Sequence, residues 1–142
     1  VLEVLLVEDC EADVVLVREA MSSLDLPLRL HHVNDGHDAL AFLRREEIFA
    51  MCPRPDAVML DANTPRRTGV EVLTEIRSDP ALRDLRVVVF SSSSVPRDAA
   101  ASLAAGADRY VTKPLEFDPF VRAVQDVLRA WVEAGPTRAQ ER

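Results

Sequence analysis

Short apolar runs of four to six residues alternate along the chain with longer stretches whose apolar positions recur every three or four residues. A short continuous apolar run is the pattern of a strand buried on both faces, and the three-to-four spacing is that of a helix with one buried side. On this basis strands are predicted at Glu3–Val7, Leu28–Val33, Ala57–Leu60, Arg86–Phe90 and Arg109–Thr112. Helices are predicted at Ala12–Leu24, Asp38–Glu47, Val70–Ser78, Pro96–Ala105 and Glu116–Val132. Prolines make Met51–Pro55 a loop, Gly106 closes the fourth helix, and Gly135-Pro136 stops the last. Strict alternation of five strands with five helices predicts an α/β fold: a five-stranded parallel sheet with helices on both faces. Residues 1–132 are expected to form this single domain and residues 133–142 a short polar tail.

Composition removes several functions. The net charge of −7 argues against a nucleic-acid surface, which needs clustered cations. No apolar run is long enough to cross a membrane, and the apolar start lacks the basic flank of a signal peptide. Cys10 and Cys52 form no disulfide framework, so a reducing cytoplasm is expected. The four glycines are scattered and build neither a phosphate loop nor a dinucleotide fingerprint.

In doubly wound sheets, ligands bind beyond the carboxyl ends of the strands. The first strand ends in Glu8-Asp9, the third in Asp61, the fourth in Ser91 and the fifth in Lys113-Pro114. Taken singly, each is a turn former, a helix cap or a strand terminator. Together they place three carboxylates, a hydroxyl and an ammonium on one rim. One divalent cation would neutralise the set, and oxygen ligands suit Mg²⁺. His31, His32 and His37 are expected to lie away from the rim, near the second strand.

These residues carry a resemblance. Val4–Asp9, the run Met59-Leu-Asp-Ala-Asn-Thr-Pro65 with Gly69, Val87–Ser91, and Gly106–Pro114 resemble the receiver domain of two-component response regulators. The separations of 30 residues from Asp61 to Ser91 and 22 from Ser91 to Lys113 are usual for that family. Cys10-Glu-Ala-Asp13, the loop at Phe49–Pro55 and the ending at Trp131 resemble one subgroup. Its members are single-domain regulators that partner phytochrome-type histidine kinases.

The resemblance implies a (βα)5 flavodoxin-like fold and a set of roles. Asp61 is the implied phosphoryl acceptor. Asp9 would bind Mg²⁺ directly, Glu8 mainly through water, and the Asn63 carbonyl would complete the protein ligands. Ser91 would meet a phosphoryl oxygen, Lys113 would pair with Asp61 and then with the phosphoryl group, and Tyr110 would be the aromatic switch. A cis Lys113–Pro114 peptide is also implied. The departures are Glu8 where many receivers have aspartate, Ser91 in place of threonine, and Ala62, Thr64 and Thr68 near the acceptor. Ser93 leaves no acid at that position to orient a hydrolytic water.

The expected function is a response regulator, not an enzyme, that accepts phosphoryl from a sensor histidine kinase and signals through protein contacts. The residues after 132 are too few for an output domain. Two other classes compete: an aspartate-nucleophile phosphohydrolase of haloacid-dehalogenase type, and a scaffold that never takes phosphate. The last helix also predicts a homodimer. Phe117, Phe120, Val121, Val124, Leu128 and Trp131 form one stripe, and Ala123, Val127, Ala130 and Val132 widen it. The alternative is that Trp131 folds back over the edge of its own domain.

Overall fold

The computed structural model describes residues 1–135. Five strands form one parallel sheet: β1 (Leu2–Val7), β2 (Leu28–Val33), β3 (Ala57–Asp61), β4 (Arg86–Ser91) and β5 (Arg109–Thr112), in the order β2-β1-β3-β4-β5. Five α-helices alternate with them: α1 (Glu11–Ser22), α2 (Gly36–Leu43), α3 (Gly69–Ser78), α4 (Pro96–Ala105) and α5 (Phe117–Ala134). A 3₁₀ turn at Glu47–Phe49 precedes β3.

Successive side chains of a strand face opposite ways, so the buried strands feed two cores. Val4, Leu6, Ala57, Met59, Val88 and Phe90 pack against α1 and α5. Leu5, Val7, Val58, Leu60, Val87 and Val89 pack against α2, α3 and the segment around Leu82 and Leu85. This two-sided burial is why these strands read as continuous apolar runs.

The helix ends differ from the expected ones for local reasons. Asp35 caps α2 by accepting the Asp38 N–H at 2.7 Å, which starts that helix at Gly36. It stops at Leu43, because Arg45 and Glu47 take left-handed φ angles of 55°. α3 begins at Gly69 behind a capping box, in which Thr68 and Glu71 satisfy each other's backbone N–H groups. Gly69 is also a point of close approach: a Cβ there would lie 3.0 Å from the Ala62 Cα. Gly106 ends α4 at φ 116°, which a side chain would strain.

Two expectations are corrected. The Lys113–Pro114 peptide is trans, since no cis bond occurs among the described residues. Trans is the favoured X–Pro isomer by about 0.5–1 kcal/mol, and the β5 ladder runs on to Lys113, whose N–H donates to the Ser91 carbonyl at 2.6 Å. Trp131 and Val127 are buried in their own domain's core, at 6% and 1% exposure. The ground given for a dimer through them therefore falls, and the fold-back alternative holds. Phe117, counted in the stripe, is instead exposed. α5 continues to Ala134, two residues past the expected boundary, and residues 136–142 of the expected tail lie outside the described residues.

Candidate functional site

Register assembles the rim. Val7 pairs with Leu60, so Glu8 emerges beside Asp61. Asp61 pairs with Phe90, which puts Ser91 one step beyond, and Ser91 pairs with Thr112, the residue before Lys113. All five strand-end residues therefore meet along one edge. Parity then divides them. Glu8 and Asp61 share the face of Leu6 and Met59, toward α1 and α5. Ser91 shares the face of Val87 and Val89, toward α4, and so does Tyr110.

Glu8, Asp9 and Asp61 bring one carboxylate oxygen each within 4.8 Å of one another. Glu8 and Asp61 are buried, and Asp9 is exposed at the mouth. Such an all-oxygen set fits a hard divalent cation. Asp61 is held by the Asn63 N–H, which donates to its Oδ1 at 3.0 Å. The Cys10 N–H donates to Glu8 Oε2 at 3.3 Å.

The Lys113 ammonium donates to Glu8 Oε1 at 2.7 Å, Asp13 Oδ2 at 2.8 Å and Asp61 Oδ2 at 3.4 Å. Burial pulls its pKa down, but the hydrogen bonds to Asp13 and Glu8 and the charge of Asp61 outweigh burial and hold it above the ordinary lysine value. Burial raises Glu8 to about 7, with Asp61 adding to the rise and Lys113 offsetting part of it.

Asp13 was not expected at the site. It lies in the first turn of α1, four residues after Asp9, and that nearness in sequence to the first rim carboxylates was the available signal. Four carboxylates, not three, therefore surround the rim. His32 is the second omission: its Nε2–H donates to the Glu8 carbonyl at 2.7 Å, tying β2 to the rim. His31 stays away, beside Glu3 and Phe42.

On the α4 side, Ser91 is buried and its Oγ accepts the Ser93 N–H at 3.1 Å. The Ser93 hydroxyl donates to Asp98 at 2.6 Å, and the Tyr110 hydroxyl donates to the Ser93 carbonyl at 2.8 Å. Tyr110 is half-buried, with its hydroxyl on this loop rather than in water. Position 93 carries no acid, yet Asp98 lines the same cleft as Ser91, Ala62 and Asn63.

Doubly wound topology with this carboxylate–ammonium–hydroxyl rim defines the class of receiver domains. Residues 4–125 match the family model of the response regulator receiver domain, and the chain belongs to that family. It is 35% identical to Response regulator Rcp1 of Synechocystis sp. (strain ATCC 27184 / PCC 6803 / Kazusa), over 92% of this chain and 88% of that protein. The fold is similar to the phosphorylated cyanobacterial phytochrome response regulator RcpA, with TM-score 0.90 and 35% identity, covering 96% and 97% of the two chains. It is similar to the Mn²⁺-bound form of Rcp1, with TM-score 0.90 and 34% identity over 96% and 99%. The haloacid-dehalogenase alternative finds no support: Asn63 stands where that pattern needs a second aspartate, and Asp61 ends β3 rather than β1. No helix among the described residues is long and apolar enough to cross a membrane.

Proposed function

We propose that this response regulator is a phosphoryl-accepting switch, with Asp61 as acceptor and the phosphohistidine of a sensor histidine kinase as donor. One observation carries the reading: three carboxylates converge within 4.8 Å and one ammonium lies within hydrogen-bond reach of two of them. In the transfer, an Asp61 oxygen attacks phosphorus. The P–N bond to the donor imidazole breaks, its electron pair stays on nitrogen, and an aspartyl phosphate forms. A carboxylate nucleophile has no proton to remove, so no general base is called for.

The obstacle is repulsion between a carboxylate and a phosphoryl dianion. Glu8, Asp9, Asp61 and the Asn63 carbonyl would hold Mg²⁺, which when bound supplies positive charge to the phosphoryl oxygens. Lys113 supplies the second positive charge. The Ser91 hydroxyl donates to a phosphoryl oxygen, and Tyr110 follows the movement of the β4–α4 loop to which its hydroxyl is bonded. That reshapes the α4–β5 surface.

The receiver unit takes in residues 1–132 and acts in the cytoplasm. It turns over no external substrate and loses its phosphoryl group slowly by its own chemistry. The likeness to RcpA, a cyanobacterial phytochrome response regulator, supports a kinase of the phytochrome type. Exposed Val95 just before α4 and Leu103 on it, with Leu115 and Phe117 after β5, support a two-fold homodimer through this face. Sedimentation equilibrium with and without beryllofluoride checks the dimer: a strict monomer in both conditions removes it.

The central test is intact-mass measurement after incubation with acetyl phosphate and Mg²⁺. One labile phosphoryl adduct is expected for the wild type and none for Asp61→Asn. Uptake by the Asn variant at the wild-type rate would overturn the assignment.

A further inference from the structure

We propose that Asp13 is a positioning residue for Lys113, holding its ammonium against α1 in the unmodified protein. This rests on the phosphoacceptor reading above and adds to it a residue outside the acidic cluster. An ammonium has three N–H donors. All three of Lys113 are spent on carboxylates, with the two short bonds to Glu8 and Asp13 and the longest to Asp61. Its side chain is 9% exposed, so water offers little substitute.

The two short bonds differ in kind. Glu8 belongs to the group of three carboxylates that could hold a cation, and Asp13 does not. When a cation engages Glu8 and Asp61, Asp13 is the carboxylate left uncommitted. A phosphoryl group on Asp61 brings new acceptor oxygens to the position where Lys113 makes its weakest contact. With no spare N–H, the ammonium can engage them fully only by stretching or giving up a bond it already has. Asp13 therefore favours the unmodified state.

A plainer reading is available. Asp13 lies in the first turn of α1, where any carboxylate benefits from the helix dipole. Glu11 lies in the same turn, is exposed and touches no cation among the described residues, so it serves as the charge control. The chain also holds one lysine and 16 arginines. Lysine-labelled protein consequently gives one side-chain ammonium resonance, which belongs to Lys113.

The experiment compares wild type, Asp13→Asn, Asp13→Glu and Glu11→Gln, each labelled with ¹³C,¹⁵N-lysine in Mg²⁺, with beryllofluoride titrated in. For Asp13→Asn, the unloaded Lys113 signal should move toward its position in loaded wild type. Beryllofluoride should bind about three- to tenfold tighter, because part of one charge-assisted hydrogen bond no longer has to be broken. Asp13→Glu should restore much of the wild-type behaviour, and Glu11→Gln should leave both readouts unchanged. A Lys113 signal unmoved in Asp13→Asn, or equal tightening in Glu11→Gln, would overturn the inference while leaving Asp61 as acceptor. A wild type that binds no beryllofluoride and takes up no phosphoryl overturns the acceptor reading itself.

Discussion

Helices α4 and α5 flank the last strand, and they are held in opposite ways. α5 buries Phe120, Val124, Val127, Leu128 and Trp131 against the sheet and α1. Its far end is clasped by Arg86, which donates to the carbonyls of Trp131 and Gly135. α4 buries only Ser102 and leaves Val95 and Leu103 in solvent. Its N-terminus has no side-chain cap, and the polar contacts at that end run through Ser93, Asp98 and Tyr110. Burying a large apolar side chain contributes about 1.5–3 kcal/mol, whereas a net hydrogen bond contributes about 1 kcal/mol. A helix seated on polar contacts can move for a small cost, and one seated on a core cannot. Glu8, Asp61 and Lys113 lie on the α5 side of the sheet, and Ser91 and Tyr110 lie on the α4 side. On the proposed function, the chemistry is thus built on the rigid face and its readout on the loose one.

The sharpest way to break this contrast is Trp131→Ala, expected to cost about 3–5 kcal/mol in urea unfolding. A loss under 1 kcal/mol would mean that α5 is no better anchored than α4. Next comes Thr68→Ala on α3, which removes a real cap and should cost about 1 kcal/mol. Glu71→Ala, which removes the other half of this capping box, carries a pH signature. The hydrogen bonds from the Thr68 backbone and side chain hold the Glu71 carboxyl below its ordinary value of 4.5. A depressed folded pKa gives stability that is present above pH 4.5 and lost as pH falls through the folded value. The gap between wild type and Glu71→Ala should therefore narrow on acidification, and a constant gap would remove the Glu71 carboxylate from the cap.

Tyr110→Phe should cost only about 0.5 kcal/mol, because the Thr112 hydroxyl also donates to the Ser93 carbonyl. Its larger effect should be faster amide exchange at the start of α4, with α5 unchanged. Leu103→Ala should be the mildest, within about 0.5 kcal/mol, as for other exposed sites. A large loss there would show that α4 packs more firmly than its exposure says.

Strand ends were legible because each carries chemistry that its strand does not need, and parallel order brings such ends together without any knowledge of side-chain packing. Asp13 was not legible on that rule, since it lies on a helix and meets Lys113 only after α1 docks on the sheet. His32 was hidden likewise: its position on β2 was read correctly, but its reach to the Glu8 carbonyl depends on how two strands pair. The α2 boundaries were missed for another reason. Asp35 and the positive φ of Arg45 decide them, and neither alters the apolar spacing. Thr68-Gly-Val-Glu71 spells a capping box in the sequence itself, and it sets the start of α3 one residue before Val70. Trp131 shows the limit of counting apolar residues around a helix, because a broad stripe fits a deep seat on a sheet as well as it fits a second copy.

The ion pair between Lys113 and Glu8 joins residues 105 positions apart. In folding terms this is among the most distant contacts the chain makes. Closing so long a loop is entropically unfavourable, and contacts of this kind form late in parallel sheets. The rim is therefore complete only when β5 has paired with β4. A nascent or truncated chain that lacks the last strand has the four acids without their ammonium, so its rim is unfinished. A ligand that binds only the completed rim stabilises the whole chain by mass action, so the same contact that tunes the acceptor also acts as a checkpoint on how much of the protein has folded.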